Sequence, residues 1–382
     1  MSSDSQHRIL HVLNHVRVTG NGIVNLTVDI ACTQARLGHR VAIASAGGDY
    51  EALLRQENVQ HFKFEQQRTL KNIPTMLGRY SELVEMFKPD IVHAHMMTGV
   101  LIAWVYRQYY KYRNWMTVNP YLLVTTVHNE FQRNAILMGL ADKVIGISQA
   151  VVTAMQQRGI PKAKLQLVLN GSLGSPRQLI STAEQSSSLC KPAIVTVAGM
   201  YRRKGIVELI DAFTIVADIF VNAHLYIVGD GPDREAFEQQ ALKTNVSDRI
   251  HFEGFQQNPQ SYMRQAEVFV LASHREPFGL VLTEAREVGC AIIASQVDGI
   301  PEAIDHGQAG ILVPPKDPQA LGVALSELLS NPEKIHNYRQ HAQTNLERFT
   351  VERVAKETIA TYEEIITKKI SKPLSDSLES AM

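Results

Sequence analysis

Val268-Phe269-Val270-Leu271 is followed, after a short polar stretch, by Arg275-Glu276-Pro277-Phe278-Gly279-Leu280-Val281-Leu282-Thr283-Glu284-Ala285 and then by Gly289. The first four residues form an unbroken apolar run, which suits a strand covered on both faces. A helix is expected from Gly279, with Pro277 suited to a first helical position and Gly289 to the residue after the helix end. The amides near Gly279 and Leu280 are then the unpaired ones of a helix start, where the helix dipole favours anionic oxygens. Glu284 falls in the second turn, with its side chain tilted toward the N-terminus. It can therefore reach a ligand that Glu276 meets from the loop. Carboxylates bond sugar hydroxyls, while amides and cations hold a diphosphate, so the stretch suits a sugar nucleotide. An ordinary helix start with acidic residues in its first turns has the same spacing.

The same strand-then-helix unit recurs outward in both directions. Toward the N-terminus, Ile9 to Leu13 reads as a strand. Gly20-Asn21-Gly22 then opens a helix with Ile23, Leu26, Ile30 and Leu37 on one face, stopped by Gly38. Further strands are expected at Val41 to Ala44, Val59 to Phe64, Asp90 to Ala94, Leu122 to Val127, Lys143 to Ile147 and Gln166 to Leu169. From Ser172 to Pro192 Ser, Gln, Gly and Pro dominate and the alternation stops. It restarts with strand Ala193 to Val197, a helix from Lys204, strand Leu225 to Val228, a helix from Asp233, and strands Arg249 to Phe252 and Ala291 to Ala294. Repeated β-α-β units with such strands give α/β domains with parallel, doubly wound sheets. The expected division is 1–175 for a first domain, 176–192 for a linker, 193–350 for a second domain, 351–370 for a C-terminal helix and 371–382 for a flexible tail. Two comparable halves place the site in the cleft between them, since open α/β sheets bind ligands beyond the carboxyl ends of their strands.

Composition narrows the function. The chain has 382 residues, 45% of them hydrophobic and 20% charged, too many for one ordinary core and typical of a soluble globular protein. Thirty-eight basic residues balance 38 acidic ones, so the net basic footprint of a nucleic-acid binder is missing. Cys32, Cys190 and Cys290 are odd in number and far apart, which fits free thiols in a reducing compartment. The polar N-terminus has no apolar signal core, and the longest uncharged stretch is too short to span a bilayer. The expectation is a cytoplasmic protein, with room for peripheral contact at the inner face of the cell membrane.

These motifs together resemble the retaining glycosyltransferases of the GT-B fold, family 4 (glycosyl transferases group 1). Beyond the paired glutamates Glu276 and Glu284, the similar segments are Val228-Gly229-Asp230-Gly231-Pro232, Gly254-Phe255, Gly299-Ile300-Pro301-Glu302 and Gly310 to Pro315. In the first half they are Gly20-Asn21-Gly22, Leu37 to Val41, Asp90 to His95, Val127-His128 and Asn170-Gly171. The resemblance implies two Rossmann-like domains facing each other across a cleft. The implied activity is transfer of a hexose from a nucleotide diphosphate sugar to the hydroxyl of a sugar or lipid-linked acceptor, as in glycolipid, lipopolysaccharide or exopolysaccharide assembly. It assigns Glu276 and His128 to the transferred sugar and Glu284 to the ribose. Gly20, Asn21, Gly22, Lys204, Phe278, Gly279 and Leu280 fall in its donor-binding segments. The helix 351–370 is expected to cross back to the first domain.

One departure stands out. The family carries an arginine directly after the glycine of the first second-domain strand, and here Gly199 is followed by Met200. Arg202 or Arg203 then has to supply the missing positive charge beside Lys204, because a bound diphosphate needs compensating cations. Gly229-Asp230-Gly231 mimics a dinucleotide fingerprint, but Arg234 fills the third glycine position. His93 and His95 share a strand face and with His128 could ligate zinc, yet core or cleft histidines are the better reading. No Asp-x-Asp occurs, so neither a metal nor any other cofactor is expected. Trp104 to Met116 combines both tryptophans with four tyrosines and three basic residues. It suits a membrane or acceptor surface, or equally a helix packed on the sheet with Val105 and Tyr109 inward and its cations solvated. Two rivals share the nucleotide site: a GT-B sugar-nucleotide epimerase, and a protein that binds nucleotide sugar without turning it over.

Overall fold

The computed structural model describes residues 6–66, 72–114, 119–177 and 188–370. The centre of the expected linker, the expected tail, and Trp115 and Met116 lie outside the described residues.

The chain forms two compact units. The first contains strands β1 (Arg8–Val12), β2 (Arg40–Ser45), β3 (Gln60–Lys63), β4 (Ile91–Ala94), β5 (Leu122–Val127), β6 (Lys143–Gly146) and β7 (Leu165–Leu167). Helices α1 (Gly22–Arg36), α2 (Glu51–Gln56), α3 (Ile73–Phe87), α4 (Met97–Asn114) and α5 (Gln149–Gln157) alternate with them. All seven strands run parallel in the order β3-β2-β1-β4-β5-β6-β7. The second unit repeats the plan with β8 (Ala193–Val197), β9 (His224–Val228), β10 (Ile250–Gly254), β11 (Val268–Leu271), β12 (Ala291–Ser295) and β13 (Ile311–Val313). Its helices are α6 (Ile206–Ala217), α7 (Arg234–Leu242), α8 (Gln260–Gln265), α9 (Leu280–Glu287), α10 (Ile300–Ala303), α11 (Pro318–Leu329) and α12 (Pro332–Ala342). The strand order is β10-β9-β8-β11-β12-β13, again parallel. Both are Rossmann-like sheets. Central strands β4, β5, β11 and β12 are buried along their whole length, while edge strand β3 is half-exposed. Of these, β11 is an unbroken apolar run, as suits a strand covered on both faces, while β4, β5 and β12 also bury His93, Thr125, Thr126 and Ser295.

The last helix, α13 (Val351–Ile370), belongs to the first unit. It packs on α1, and its Val354 and Tyr362 are part of that unit's core. The first unit gives way to the second after Leu169 rather than at 175. Gly171 and Leu173 already belong to the second: Leu173 donates its N–H to the Phe349 carbonyl at 3.0 Å, and a Cβ on Gly171 would lie 2.3 Å from that same oxygen.

Three local expectations need correction. The first helix of the second unit starts at Ile206, not Lys204, because Arg202–Lys204 forms a 3₁₀ turn that Gly205 closes at φ 69°. A Cβ at Gly205 would sit 1.8 Å from the Ala272 carbonyl oxygen, so only glycine fits. Likewise Pro277 is not a first helical residue, since Gly279 adopts φ 89° and α9 starts after it, at Leu280. Finally, α4 buries Ile102, Ala103, Tyr106 and Arg107, and leaves Leu101, Val105 and Tyr109 exposed. Val105 and Tyr109 thus face outward. The helix phase is set by Tyr106, edge-on to Tyr80 at 5.4 Å, and by Arg107, whose guanidinium bonds both oxygens of Asp142 at 2.9 and 3.0 Å. Arg107 is accordingly not a solvated cation.

Candidate active site

In an open parallel sheet the ligand crevice forms where neighbouring strands send their connections to opposite faces. In the second unit that point lies between β8 and β11, and the loops leaving them carry most of the residues singled out above. After β8 the chain passes through Met200, which is fully buried in the unit's core. Its N–H donates to the Asp230 carbonyl at 2.9 Å, and its carbonyl accepts from Asp233 N–H at 3.1 Å. A side chain so placed cannot be exchanged for a solvated arginine without rebuilding the core. Lys204 follows, and its ammonium forms an ion pair with the Glu276 carboxylate from the loop after β11. Both side chains are mostly buried, at 14% and 12% exposure.

The Glu276 loop is braced from several directions. Ser273 Oγ reaches the same carboxylate oxygen at 3.5 Å. Glu276 N–H donates to Asp298 at 2.9 Å, Arg275 Nε bonds the same carboxylate at 2.9 Å, and the Glu276 carbonyl accepts from Gly299 N–H at 3.1 Å. Asp298 sits at φ 43° in the turn before Gly299, where a Cβ would lie 2.1 Å from the Pro277 carbonyl oxygen. Phe278 is buried, and α9 begins beyond Gly279 with Glu284 half-buried in its second turn. Leu282 N–H donates to the carbonyl of the N-cap Gly279 at 2.9 Å, and the amides of Leu280 and Val281 precede the first bonded turn of α9. Arg202 and Arg203 do not join Lys204. Arg202 is 81% exposed, with its N–H on Asp233 at 2.9 Å and its guanidinium 3.9 Å from that carboxylate. Arg203 is exposed and lies over the Tyr201 ring at 5.7 Å.

In the first unit the corresponding point lies between β1 and β4. Gly20 and Asn21 lead into α1, whose first residue is Gly22, and all three are exposed. Asn21 holds the start of α1, because its side-chain oxygen accepts from Ile23 N–H at 3.0 Å and caps the helix. His128 lies just past β5 and is almost fully buried. Its Nε2 is 3.1 Å from His95 Nδ1, and His95 Nε2 is 2.9 Å from His11 Nδ1. Parallel register sets His11 opposite His93 on the adjacent strand. His93 bonds Tyr362 Oη at 2.6 Å and Thr126 Oγ1 at 2.7 Å. Among the described residues, His11, His93 and His95 are the one group whose ring nitrogens lie close enough together to share an ion, within 4.8 Å. The zinc alternative open to the sequence used His93, His95 and His128, so His11 was missed.

Residues 181–345 match the family model for glycosyl transferases group 1, and residues 20–172 match that for glycosyltransferase family 4. N-acetyl-alpha-D-glucosaminyl L-malate synthase of Bacillus anthracis is 24% identical over 372 residues, which is 91% of this chain and 95% of that protein. Lipopolysaccharide core biosynthesis glycosyltransferase LpsD of Rhizobium meliloti (strain 1021) is 29% identical over 171 residues, 45% of this chain and 49% of that one. In fold, the chain is similar to Anabaena Alr3699/HepE, solved in complex with UDP and glucose. The TM-score is 0.77 at 21% identity, covering 94% of this chain and 100% of the other. The chain belongs to family 4 of the GT-B glycosyltransferases.

The buried histidines give this glycosyltransferase a testable acid response. Burial lowers His11 to about 4 and His128 to about 3, and holds His93 and His95 well below the ordinary range. All four are therefore neutral in the folded protein near pH 7. Each folded value lies below the unfolded one of ~6.5, so the unfolded chain takes up protons that the folded chain does not. The stabilisation is complete above ~6.5 and declines as the pH falls toward the folded values, by about 1.4 kcal/mol per pH unit for each histidine. The urea midpoint is expected to fall clearly between about pH 7.5 and about pH 5.5. A flat midpoint over that interval would mean that these rings titrate alike in both states.

Proposed function

We propose that this glycosyltransferase moves a hexose from a nucleotide diphosphate sugar to an acceptor hydroxyl with retained anomeric configuration, in the assembly of a glycolipid, lipopolysaccharide or exopolysaccharide. The observation that carries the reading is the Lys204–Glu276 ion pair at the switch point of the second sheet. A cation and a carboxylate held together there match the two ends of the reacting bond. As that bond breaks, negative charge grows on the leaving diphosphate and positive charge on the sugar ring. Lys204 and the Leu280 and Val281 amides of α9 stabilise the first, and Glu276 flanks the second. Glu284 bonds the ribose from the second turn. His128, kept neutral by burial, meets a sugar hydroxyl as a hydrogen-bonding group rather than as a cation. The departing phosphate accepts the acceptor's proton on the same face of the sugar, without a covalent intermediate.

The reaction needs no metal in this scheme, because Lys204 and the α9 amides supply the compensating charge. UDP in the Anabaena structure and the lipopolysaccharide role in the Rhizobium name support a uridine donor and a glycan acceptor. Incubation with a panel of uridine, guanosine and adenosine diphosphate sugars tests the reading. Slow release of nucleoside diphosphate is expected from one of them. Isomerised donor would make the protein an epimerase, and binding without any product would make it a binding module.

A further inference from the structure

We propose that Gln34 fixes the tautomer of His128 through a buried chain of imidazoles, and so makes the free nitrogen of His128 a hydrogen-bond acceptor. The proposal rests on the reading that His128 meets a sugar hydroxyl. It adds a positioning residue on α1, linked to His128 through His11 on β1, which lies two strands from β5 in the sheet.

The chain is continuous. Gln34 Oε1 lies 2.8 Å from His11 Nε2, His11 Nδ1 lies 2.9 Å from His95 Nε2, and His95 Nδ1 lies 3.1 Å from His128 Nε2. Gln34, His11 and His95 are all almost fully buried, so water does not compete for these bonds. An amide oxygen only accepts, so His11 must carry its proton on Nε2 and present a bare Nδ1. His95 must then donate from Nε2, and so must His128. Each neutral ring passes the same sense to the next, and His128 is left with a lone pair on Nδ1. Among the described residues no group bonds that nitrogen. The carboxamide at the far end neither takes nor gives up a proton near neutral pH, so the chain holds a direction and carries no proton current.

The 2.8 Å contact puts Gln34 Oε1 on His11, and Gln34 Nε2 is buried with no hydrogen-bond partner among the described residues. Rotating the amide would put Nε2 on His11 and reverse all three tautomers, leaving His128 with an N–H at Nδ1. A shared metal ion fits less well. All six nitrogens of His11, His93 and His95 already have a protein partner. The 2.9 Å separation of His11 Nδ1 from His95 Nε2 is that of a hydrogen bond, whereas two nitrogens each ~2.1 Å from one tetrahedral zinc stand about 3.4 Å apart.

The test is long-range ¹H–¹⁵N NMR on the full-length protein labelled at histidine nitrogens. In the wild type, His11, His95 and His128 are expected to be neutral, each protonated at Nε2 and bare at Nδ1. A wild-type His128 protonated at Nδ1 overturns the proposal, and so does loss of these Nε2 protons on stoichiometric zinc binding by His11, His93 and His95. Gln34→Leu removes the acceptor and should mix or reverse the His128 tautomer. Gln34→Glu keeps an acceptor and should preserve it. An unchanged His128 signal in a folded Gln34→Leu protein contradicts the proposal. Activity is read separately: Gln34→Leu should lower kcat ~10-fold or more with little change in donor KM, and Gln34→Glu should restore it. If His128→Ala retains full activity, the role of His128 at the sugar fails, while the wild-type spectrum still decides the tautomer chain.

Discussion

Glu276→Gln is expected to lower kcat by about 10²–10³-fold while leaving the protein folded. The substitution keeps the side chain's volume and its acceptor oxygen for Lys204, and removes only the negative charge. The loop that carries residue 276 is held by backbone bonds to Asp298 and Gly299 and by the Arg275–Asp298 pair, none of which involves the exchanged group. Stability should therefore change by only about 1 to 2 kcal/mol. Donor KM should change little, because Lys204, released from its carboxylate, is freer to meet the diphosphate. Stopped-time assays of nucleoside diphosphate release give both parameters, and thermal unfolding confirms the fold. A kcat within about threefold of the parent would remove Glu276 from the reacting centre.

Arg286→Met is expected to have the largest effect on stability, a loss of about 3–5 kcal/mol. Arg286 lies on α9 and is fully buried. Its guanidinium bonds Asp305 at 2.7 Å and the carbonyls of Ala303, Ala342 and Thr344 at 2.8, 2.9 and 2.8 Å, and it stacks over Phe349 at 4.9 Å. One side chain thus ties α9 to the segments after α10 and α12. Methionine would fill much of the volume but would leave three carbonyls without a donor. Asp305 would keep only the half-exposed Arg348, 2.8 Å away. Urea denaturation measures the loss directly. A change under about 1 kcal/mol would mean that water or a neighbouring donor replaces the guanidinium.

The two sheets were legible because their strands announce themselves. Val268–Leu271 is a continuous apolar run and Leu122–Val127 is built only of Leu, Val and Thr, and each occupies an inner position in its parallel sheet. The glutamate loop was legible as well, because Gly279 and Glu276 stand next to such a strand. Long-range partners were not. Asp298 braces Glu276 from 22 residues away, and nothing local in Val297-Asp298-Gly299 shows it. His11 meets His93 and His95 only through the register of β1 on β4, which no periodicity within either strand records. Gln34 did leave a trace: it lies four residues after Ile30, on the apolar stripe of α1, and a polar residue there implies a buried partner. In sequence Met200 looks like a missing phosphate-binding arginine, whereas its backbone bonds to Asp230 and Asp233 turn it into the core. The phase of α4 was missed for the same reason, since Arg107 becomes an inward residue only through Asp142 on another connection.

The most direct measurement of the role given to the Lys204–Glu276 pair is the time course of nucleoside diphosphate release from a panel of nucleotide diphosphate sugars, for wild type and for Lys204→Met. Removing the only mostly buried cation beside Glu276 among the described residues should weaken the hold on the diphosphate in ground and transition states alike. Release from at least one donor by the wild type is expected, with kcat/KM in Lys204→Met lowered by about 10²-fold or more. Equal kcat/KM in the two proteins, or a wild type that binds donors and never releases the diphosphate, would contradict that role.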